Sequence, residues 1–321
     1  MTLLAIDLGG TKLAAAVLSD DGAILAEETV LLNGRRGNGV GALIAEQIRK
    51  NIEQHADEID AVGICVPGIS RRETGTVWAP NIPGWDDYPL LAETEKVAEG
   101  SPVFIDSDRA CHILGEEWKG AAQGCRNAVY LAVGTGIGAG ILADGSILRG
   151  AHDIAGAVGW MALERPFDAR YVECGCFETN ASGEGLAKLA RRMLAQVPHR
   201  PSVLRAVHPN ELSAGTVFEA YEAGDETAQE VIAAAIEFWG MAAANMVSIF
   251  DPEKVLFGGG MFGPAGRFLE QIRDEAKKWA QPIAIERTEI VLSELGPKAG
   301  LYGAARMALK ALANGGVKNV Q

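Results

Sequence analysis

The sequence predicts an α/β protein of two domains, and three observations support that prediction. The chain has 321 residues, and a single domain usually needs only ~150. Hydrophobic residues make up 48% and charged residues 22% of the chain, a composition typical of globular proteins with a full core. Short apolar runs alternate with helical periodicity, and the unit of strand, glycine-rich turn and strand occurs twice.

The first half of the chain opens with this unit, which runs from Leu4 to Leu18 across the turn Gly9-Gly10. Apolar runs bounded by turn residues delimit the strands, and apolar residues at helical spacing delimit the helices. The predicted elements are strands at 3–8, 12–18, 23–31, 61–66 and 103–105, and helices at about 39–55 and 109–119.

The same unit recurs near residue 126, with a strand at 128–133, a turn over Gly134–Gly140 and a strand through Leu142. Such duplication indicates two related halves, each with one loop that could bind phosphate. The remaining predicted elements are helices at about 180–193, 215–223, 226–250 and 298–314 and strands at 254–257 and 290–293, with 314–321 as a frayed tail.

Four motifs carry candidate phosphate and catalytic chemistry, namely Asp7-Leu-Gly-Gly-Thr-Lys12, Asp106-Ser-Asp108, Gly134-Thr-Gly-Ile-Gly138 and Gly258-Gly-Gly260. Glycines let backbone N–H groups approach an anion closely. Thr11 and Lys12 can donate to phosphate oxygens, and Asp7 can hold Mg²⁺, with water between them. An ordinary Gly-Gly hairpin is the alternative interpretation of the first motif.

With these motifs in this order, the chain resembles the ROK family, the bacterial sugar kinases and repressors of the actin/hexokinase-like ATPase superfamily. The resemblance covers essentially the whole chain and extends to Val66-Pro-Gly68, Pro80–Trp85, Leu114-Gly-Glu116, Cys176–Ser182 and Leu295–Gly300. It implies an actin/hexokinase-like (ribonuclease H-like) fold of two α/β domains around a cleft. We expect one domain at 1–118, closed by the C-terminal helix 298–314, and the other at 119–297.

The resemblance also implies a nucleotide site. The first two glycine loops would face the phosphates of ATP, and the third would lie near the adenosine. The implied residues are Asp7, Gly9, Gly10, Thr11, Lys12, Gly134, Thr135, Gly136, Gly138, Gly258, Gly259 and Gly260. ATP and Mg²⁺ are the expected cofactors, with Mg²⁺ held through Asp7 and ATP.

Asp108 matches the catalytic aspartate of the family, and its chemistry suits that role. A sugar hydroxyl must lose a proton as it attacks the γ-phosphorus, and a positioned carboxylate can accept that proton. The alternative is that Asp108 caps the helix that it precedes. The two roles are geometrically compatible.

Two further residues match sugar-binding positions of the family. Asn81 corresponds to an asparagine that hydrogen-bonds a sugar hydroxyl, although asparagine also favours turns. Glu178 corresponds to a glutamate near the anomeric end of the sugar, although a solvated carboxylate at a helix start is the alternative.

The chain departs from the family beside the catalytic aspartate. Ser107 replaces the usual asparagine, so one direct sugar contact can become a water bridge. Arg109 is a new cation beside the base. It could lower the pKa of the carboxylate, pair with a nearby acid or meet an anionic group of the substrate. An outward-facing arginine at a helix start is the alternative.

A larger departure lies at Ala155-Gly-Ala-Val-Gly-Trp160. Family kinases carry Glu and His where this chain has Ala157 and Trp160; both reach the sugar, and the histidine also binds zinc. Structural zinc needs about four N or S ligands, and Cys174 and Cys176 offer two. We therefore predict no zinc, with His152 as a conceivable substitute ligand.

In this interpretation Trp160, Tyr171 and Phe177 fill the zinc region by apolar packing. Trp160 would also add bulk or a stacking face for a sugar ring. The loss of the two polar contacts disfavours plain glucose as the acceptor.

The sequence therefore predicts an ATP-dependent kinase that phosphorylates a hydroxyl of a sugar or sugar-like polyol. The alternative is a catalytically silent regulatory protein that binds sugar or nucleotide and has no DNA-binding domain. The net charge of −13 disfavours nucleic acid as a partner. No apolar stretch is expected to span a membrane. The five cysteines suggest reduced thiols in a cytoplasm. The family resemblance suggests a homodimer.

Overall fold

Two five-stranded sheets form the framework of the protein, in a computed structural model that describes residues 1–55 and 59–315. The strands are β1 (Thr2–Leu8), β2 (Lys12–Ser19), β3 (Ile24–Leu31), β4 (Ile59–Val66), β5 (Ile69–Arg71), β6 (Thr76–Trp78), β7 (Val103–Ser107), β8 (Ala128–Val133), β9 (Ile137–Ala143), β10 (Ser146–Ile147), β11 (Lys254–Gly258) and β12 (Glu289–Leu292). The first sheet has the order β3-β2-β1-β4-β7 and the second β10-β9-β8-β11-β12, while β5 and β6 form a separate hairpin.

The helices cover these sheets and join them. They are α1 (Asn38–Gln54), α2 (Leu90–Glu95), α3 (Asp108–Lys119), α4 (Cys176–Ala181), α5 (Gly183–Gln196), α6 (Ala214–Glu222), α7 (Glu226–Phe250), α8 (Leu269–Trp279), α9 (Pro282–Ile285) and α10 (Ala299–Ala313). Short 3-10 turns lie between them, including one at Val158–Trp160 and one at Ala169–Val172.

The two sheets share one topology, as the repeated sequence unit predicts. In each sheet the first three strands in chain order are antiparallel neighbours, the fourth pairs in parallel with the first, and the fifth pairs in parallel with the fourth. The glycine turn between β1 and β2 therefore has its counterpart between β8 and β9. Because the carboxyl ends of parallel strands share one sheet edge, the residues after β1, β4 and β7 lie together, as do those after β8 and β11.

Each sheet has its own hydrophobic core. One face of the first sheet packs on α1 through Ile6, Leu13 and Ile44, and its other face packs on α10. The second sheet packs on the long helix α7, where Trp239 and Phe257 are fully buried. The helix α10 thus belongs with the first sheet in space although it ends the described chain. The division at residues 118 and 119 remains a prediction.

The helices α3 and α10 cross at the junction of the two halves with their backbones in close approach. A β-carbon at Gly303 would lie 1.8 Å from the carbonyl oxygen of Cys111, and one at Gly115 would lie 2.4 Å from that of Ala299. No side chain fits at either position without moving the backbone of a helix.

We expect Gly303→Ala to lower the free energy of unfolding by about 3 kcal/mol, because the added methyl group collides with backbone rather than with a flexible side chain. Gly215→Ala is the matched control. Its β-carbon would meet only the hydroxyl of Ser213 at 3.5 Å, so helix propensity should leave stability unchanged or raised. Urea unfolding of both variants measures the difference, and equal effects would contradict the close approach.

Several predicted boundaries are corrected by the structure. The helix predicted at 180–193 is two helices, because Ser182 leaves α4 in extended backbone and caps α5 by accepting from the N–H of Gly185. The hairpin β5–β6, the strand β10 and the helices α2 and α9 were not predicted. Of the tail predicted at 314–321, residues 316–321 lie outside the described residues.

The helix α7 corrects the expectation that no segment is suited to span a membrane. By length and composition alone it could cross one, and no other helix among the described residues meets that criterion. Half of its apolar window is buried inside the protein, where it packs on α8 and α6. A core helix satisfies the same criterion, so this is weak evidence for a membrane.

Candidate functional site

The first glycine turn closes one end of the candidate site. The N–H of Gly9 donates to the carbonyl of Lys12 over 2.9 Å, and both Thr11 and Lys12 are exposed. A β-carbon at Gly10 would lie 3.9 Å from that of Asn81. The structure therefore places the loop that carries Asn81 directly against the predicted phosphate loop.

Asp7, at the end of β1, lies beneath this turn against the start of α10. A β-carbon at Gly300 would lie 2.4 Å from its carboxylate, so that position has room only for glycine. Burial raises the pKa of Asp7, the proximity of Asp108 adds to the rise, and His112 opposes it. Asp7 and Asp108 are thus close enough to influence each other.

The structure decides the capping question at Asp108. Ser107 is the N-cap of α3, since its hydroxyl accepts from the N–H of Ala110 over 3.4 Å, and Asp108 is the first helical residue. Oδ1 of Asp108 accepts from the N–H of Arg109 over 2.8 Å. Its Oδ2 accepts no hydrogen bond from residues 1–55 or 59–315. The carboxylate therefore keeps one oxygen available, and the capping interpretation is wrong.

The second glycine turn lies on the other side of the site, where it meets Glu178. Oε2 of Glu178 accepts from the N–H of Ile137 over 2.6 Å, and a β-carbon at Gly136 would lie 2.8 Å from the same oxygen. The N–H of Gly183, at the start of α5, donates to the carbonyl of Gly134 over 2.8 Å and so stabilises the turn. Thr135 is exposed at its tip. Glu178 thus faces the second loop rather than bulk solvent.

We expect Glu178→Gln to stabilise the fold at neutral pH. Burial raises the pKa of Glu178, so keeping this side chain ionised in the folded state costs stability. The cost is absent below the unfolded-state pKa and reaches its full size as pH rises through the folded-state pKa. The amide has no such cost.

Thermal unfolding should show a higher Tm for Glu178→Gln at about pH 8 and no difference at about pH 4. Glu219→Gln, at an exposed position of α6, is the control and should change nothing. A Tm difference independent of pH would contradict the assignment of the effect to ionisation.

The third glycine loop follows β11. Gly259 and Gly260 are exposed, and a β-carbon at Gly260 would meet nothing within 4 Å, so the backbone there is open to a ligand. Gly258 lies against the hydroxyl of Tyr130, at 2.1 Å from the position of a β-carbon. Burial raises the pKa of Tyr130 to about 12. The phenol therefore stays neutral beneath this loop.

His112 lies between the first and third loops and was not predicted. It is one helical turn after Asp108, its ring lies 5.2 Å from that of Tyr130, and its Nδ1 is buried without a hydrogen-bond partner among the described residues. The sequence signal was weak because a lone histidine on a helix is common. Its lowering effect on the pKa of Asp7 depends on the fold, which brings the two side chains together.

A loop of residues 148–156, called here the junction loop, connects the two halves beside the base. Arg149 donates to Oδ2 of Asp106 from Nε at 2.9 Å and from Nη2 at 2.5 Å. Asp153 pairs with Nε of Arg72 over 2.8 Å. Sequence reasoning missed these contacts because the partners are 43 and 81 residues apart.

Arg109 also reaches the junction loop, so the outward-facing interpretation is wrong. Nη1 donates to the carbonyls of Ile154 and Ala155, and Nη2 donates to that of Gly68, each over 3.3 Å. A β-carbon at Gly138 would lie 3.0 Å from Cδ of Arg109. The arginine stem thus crosses the second glycine loop from α3.

The region that would hold zinc is organised by hydrogen bonds instead. Tyr171 is buried and donates to Glu164, and the amide of Asn180 donates to the same carboxylate over 3.3 Å and to the carbonyl of Cys176 over 3.0 Å. No group of three or more potential metal-ligating side chains occurs in the described part of the chain. These residues do not fit a structural zinc, and its absence stays a prediction.

The predicted apolar filling of this region is half right. Phe177 is fully buried and Tyr171 is 5% exposed, but Trp160 is 57% exposed. The 3-10 turn at Val158–Trp160 holds the backbone of Trp160 against Gly175 and leaves the indole outside. Trp160 therefore does not pack in the interior.

The sequence matches a known protein family over nearly its whole length. The family model described as ROK family matches residues 3–311. The chain belongs to the ROK family. The chain is 32% identical over 307 residues to a glucokinase of Halalkalibacterium halodurans, covering 93% of this chain and 92% of that protein.

Solved structures of other ROK proteins have the same fold. A ROK family glucokinase of Streptomyces griseus, in complex with glucose and AMPPNP, has a TM-score of 0.77 at 28% identity and covers 97% of this chain and 100% of its own. A ROK family transcriptional regulator, homologous to the E. coli MLC protein, has a TM-score of 0.83 at 27% identity, covering 96% and 78%. The ROK fold, which is the actin/hexokinase-like fold, thus occurs both in kinases and in regulators.

Proposed function

We propose that this ROK protein is an ATP-dependent kinase that phosphorylates a hydroxyl of a sugar or sugar-like polyol, with Asp108 as the general base. The observation that carries the proposal is the position of Asp108. Ser107 caps the helix, so the carboxylate of Asp108 is not needed as a cap. Its Oδ1 accepts from the N–H of Arg109, and its Oδ2 remains available near Asp7. A carboxylate in this position can take the proton of an attacking hydroxyl.

The residues around Asp7 fit a magnesium-bound nucleotide. Burial raises the pKa of Asp7, so a nearby cation would compensate the cost of its charge. Mg²⁺ supplies charge neutralisation at the phosphates when it is bound. Lys12 and Thr11 can donate to phosphate oxygens, while Gly10 and the loops at 134–138 and 258–260 offer backbone N–H groups; the N–H of Gly9 is already bonded to the carbonyl of Lys12 and shapes the turn.

On the acceptor side, we assign Asn81 and Glu178 to sugar binding because they match the sugar-binding positions of the family. Asn81 lies against Gly10, and Glu178 accepts from the N–H of Ile137, so each side chain adjoins one of the two proposed phosphate loops. Ser107 keeps its hydroxyl on the cap, and Trp160 offers an exposed indole at the rim. Because Ala157 and Trp160 supply no carboxylate or imidazole, we infer that plain glucose is a poor acceptor.

An ADP-release assay with MgATP and a panel of hexoses, amino sugars, ketoses and cyclitols tests the proposal. We expect turnover of at least one of these and weak turnover of glucose. Robust turnover of glucose at micromolar KM would refute the acceptor inference. Absence of both nucleotide binding and turnover would refute the kinase.

A regulatory protein that binds sugar or nucleotide without catalysis is the second candidate, favoured by the likeness to a ROK transcriptional regulator. Binding of MgATP and a sugar without ADP release would support it. In either case we propose that the protein is cytoplasmic, in keeping with its five free thiols. We also propose that it forms a homodimer, and light scattering would measure the mass of that assembly.

A further inference from the structure

Three arginines cross between the two halves of the protein beside the base, and they differ in how their charge is balanced. Arg72 pairs with Asp153, and Arg149 pairs with Asp106. Arg109 has no carboxylate partner among the described residues, because its three acceptors are backbone carbonyls. Its guanidinium therefore forms no ion pair with another described residue.

The guanidinium of Arg109 is held in place and still has donors to spare. Nη1 uses both of its N–H bonds on the carbonyls of Ile154 and Ala155, and Nη2 uses one of its two on the carbonyl of Gly68. The Nε–H and the second Nη2–H have no acceptor within residues 1–55 and 59–315. One edge of a guanidinium carries such a pair of donors, and their spacing matches two oxygens of a carboxylate or phosphate.

Arg109 lies next to the proposed base. Arg109 directly follows Asp108, its stem runs over Gly138, and its head lies at Gly68, after the strand beside that of the base. No acidic side chain of the junction loop pairs with it, since Asp153 is the one acid between residues 148 and 156 and it pairs with Arg72. A ligand in contact with Asp108 is thus within the field of an unpaired cation.

We propose that the natural acceptor carries an anionic oxygen group, a carboxylate or a phosphate ester, which Arg109 binds through Nε–H and Nη2–H while a hydroxyl of the same molecule meets Asp108. This inference rests on the proposed kinase activity and narrows its substrate class to acidic sugars or polyols. Arg109 is then a specificity-determining residue, and the three carbonyls preorganise its guanidinium.

Matched pairs of neutral and anionic acceptors test the inference by ADP release. The pairs are glucitol with gluconate, glucose with glucuronate, and glucose with glucose 1-phosphate; the first two probe a carboxylate and the third a phosphate. For the wild type we expect kcat/KM for an anionic member at least about tenfold above that for its neutral partner. Arg109→Ala should bring the ratio of anionic to neutral kcat/KM close to one, whatever it does to the turnover of the neutral partner.

Two further variants separate anion binding from loosening of the junction loop. Arg109→Lys keeps the charge and loses the paired donors, so it should retain part of the preference. Arg72→Met removes another arginine contact to the same loop, at Asp153. It should leave the ratio of anionic to neutral kcat/KM unchanged, whatever it does to stability.

The outcomes distinguish this inference from the proposed function. Turnover of neutral sugars that depends on Asp108, with an anion preference absent or equal in wild type and Arg109→Ala, would overturn the inference alone and make Arg109 an interdomain clamp. If no acceptor is turned over, calorimetry with gluconate and with inorganic phosphate still decides. Binding lost in Arg109→Ala supports the anion site, and no binding to the wild type overturns it.

Discussion

Asp108→Asn is expected to lower kcat by about 10²- to 10⁴-fold, the contribution that a positioned general base makes to proton transfer. Asparagine has nearly the same shape, and its side-chain oxygen can still accept from the N–H of Arg109 as Oδ1 does now. The helix start keeps its cap on Ser107, so the fold should be retained. The loss should therefore appear in kcat and not in the affinity for MgATP.

Steady-state kinetics with the best acceptor from the panel, together with calorimetric binding of MgATP, measure the two quantities separately. Asp274→Asn is the matched control, since Asp274 is exposed on the outer helix α8. It should leave kcat and nucleotide affinity unchanged. Turnover of Asp108→Asn within twofold of the wild type would assign the proton to another acceptor and remove the main support for the proposed mechanism.

Glu116→Ala is expected to cause the largest loss of stability of the single changes considered. Glu116 is fully buried on α3 and holds the segment that leads into α10. Its carboxylate accepts from the N–H of Ala121 over 2.8 Å, from that of Leu295 over 3.0 Å and from the hydroxyl of Ser293 over 2.5 Å. Removing it would leave these three donors, one buried and two partly buried, without an acceptor.

We expect a decrease of about 3 kcal/mol or more in the free energy of unfolding, since hydrogen bonds to a charged group contribute more than neutral ones. The corresponding fall in Tm is roughly 6 °C for a protein of this size. Glu219→Ala, at an exposed helical position, is the control and should stay within about 0.5 kcal/mol. If the two variants unfold alike, Glu116 does not hold the junction.

Much of the fold could be predicted because its signals are local. The unit of strand, glycine turn and strand is written twice in contiguous sequence, and the structure has it twice with the same topology. The break at Ser182 was missed because helix periodicity continues on both sides of it, and only the cap decides the matter. The helix predicted at 226–250 is confirmed as α7, but the burial of half of its apolar window depends on tertiary packing and could not be predicted.

The site was predictable only as far as it follows motifs. The structure places Asn81 against the first glycine loop and Glu178 against the second, which the sequence alone could not establish. The partners of Arg109 are main-chain carbonyls, and carbonyls have no sequence signature. Neither the orphaned nitrogen of His112 nor the pair Arg149–Asp106 could be read from spacing, because both depend on how distant segments meet.

The bonds among Tyr171, Glu164 and Asn180 have a consequence for the conditions under which the protein can work. The donors and the acceptor in these bonds are oxygen and nitrogen atoms of three side chains. We therefore expect a strong chelator to leave the Tm of the protein unchanged, because we predict that hydrogen bonds and not zinc hold this region in shape.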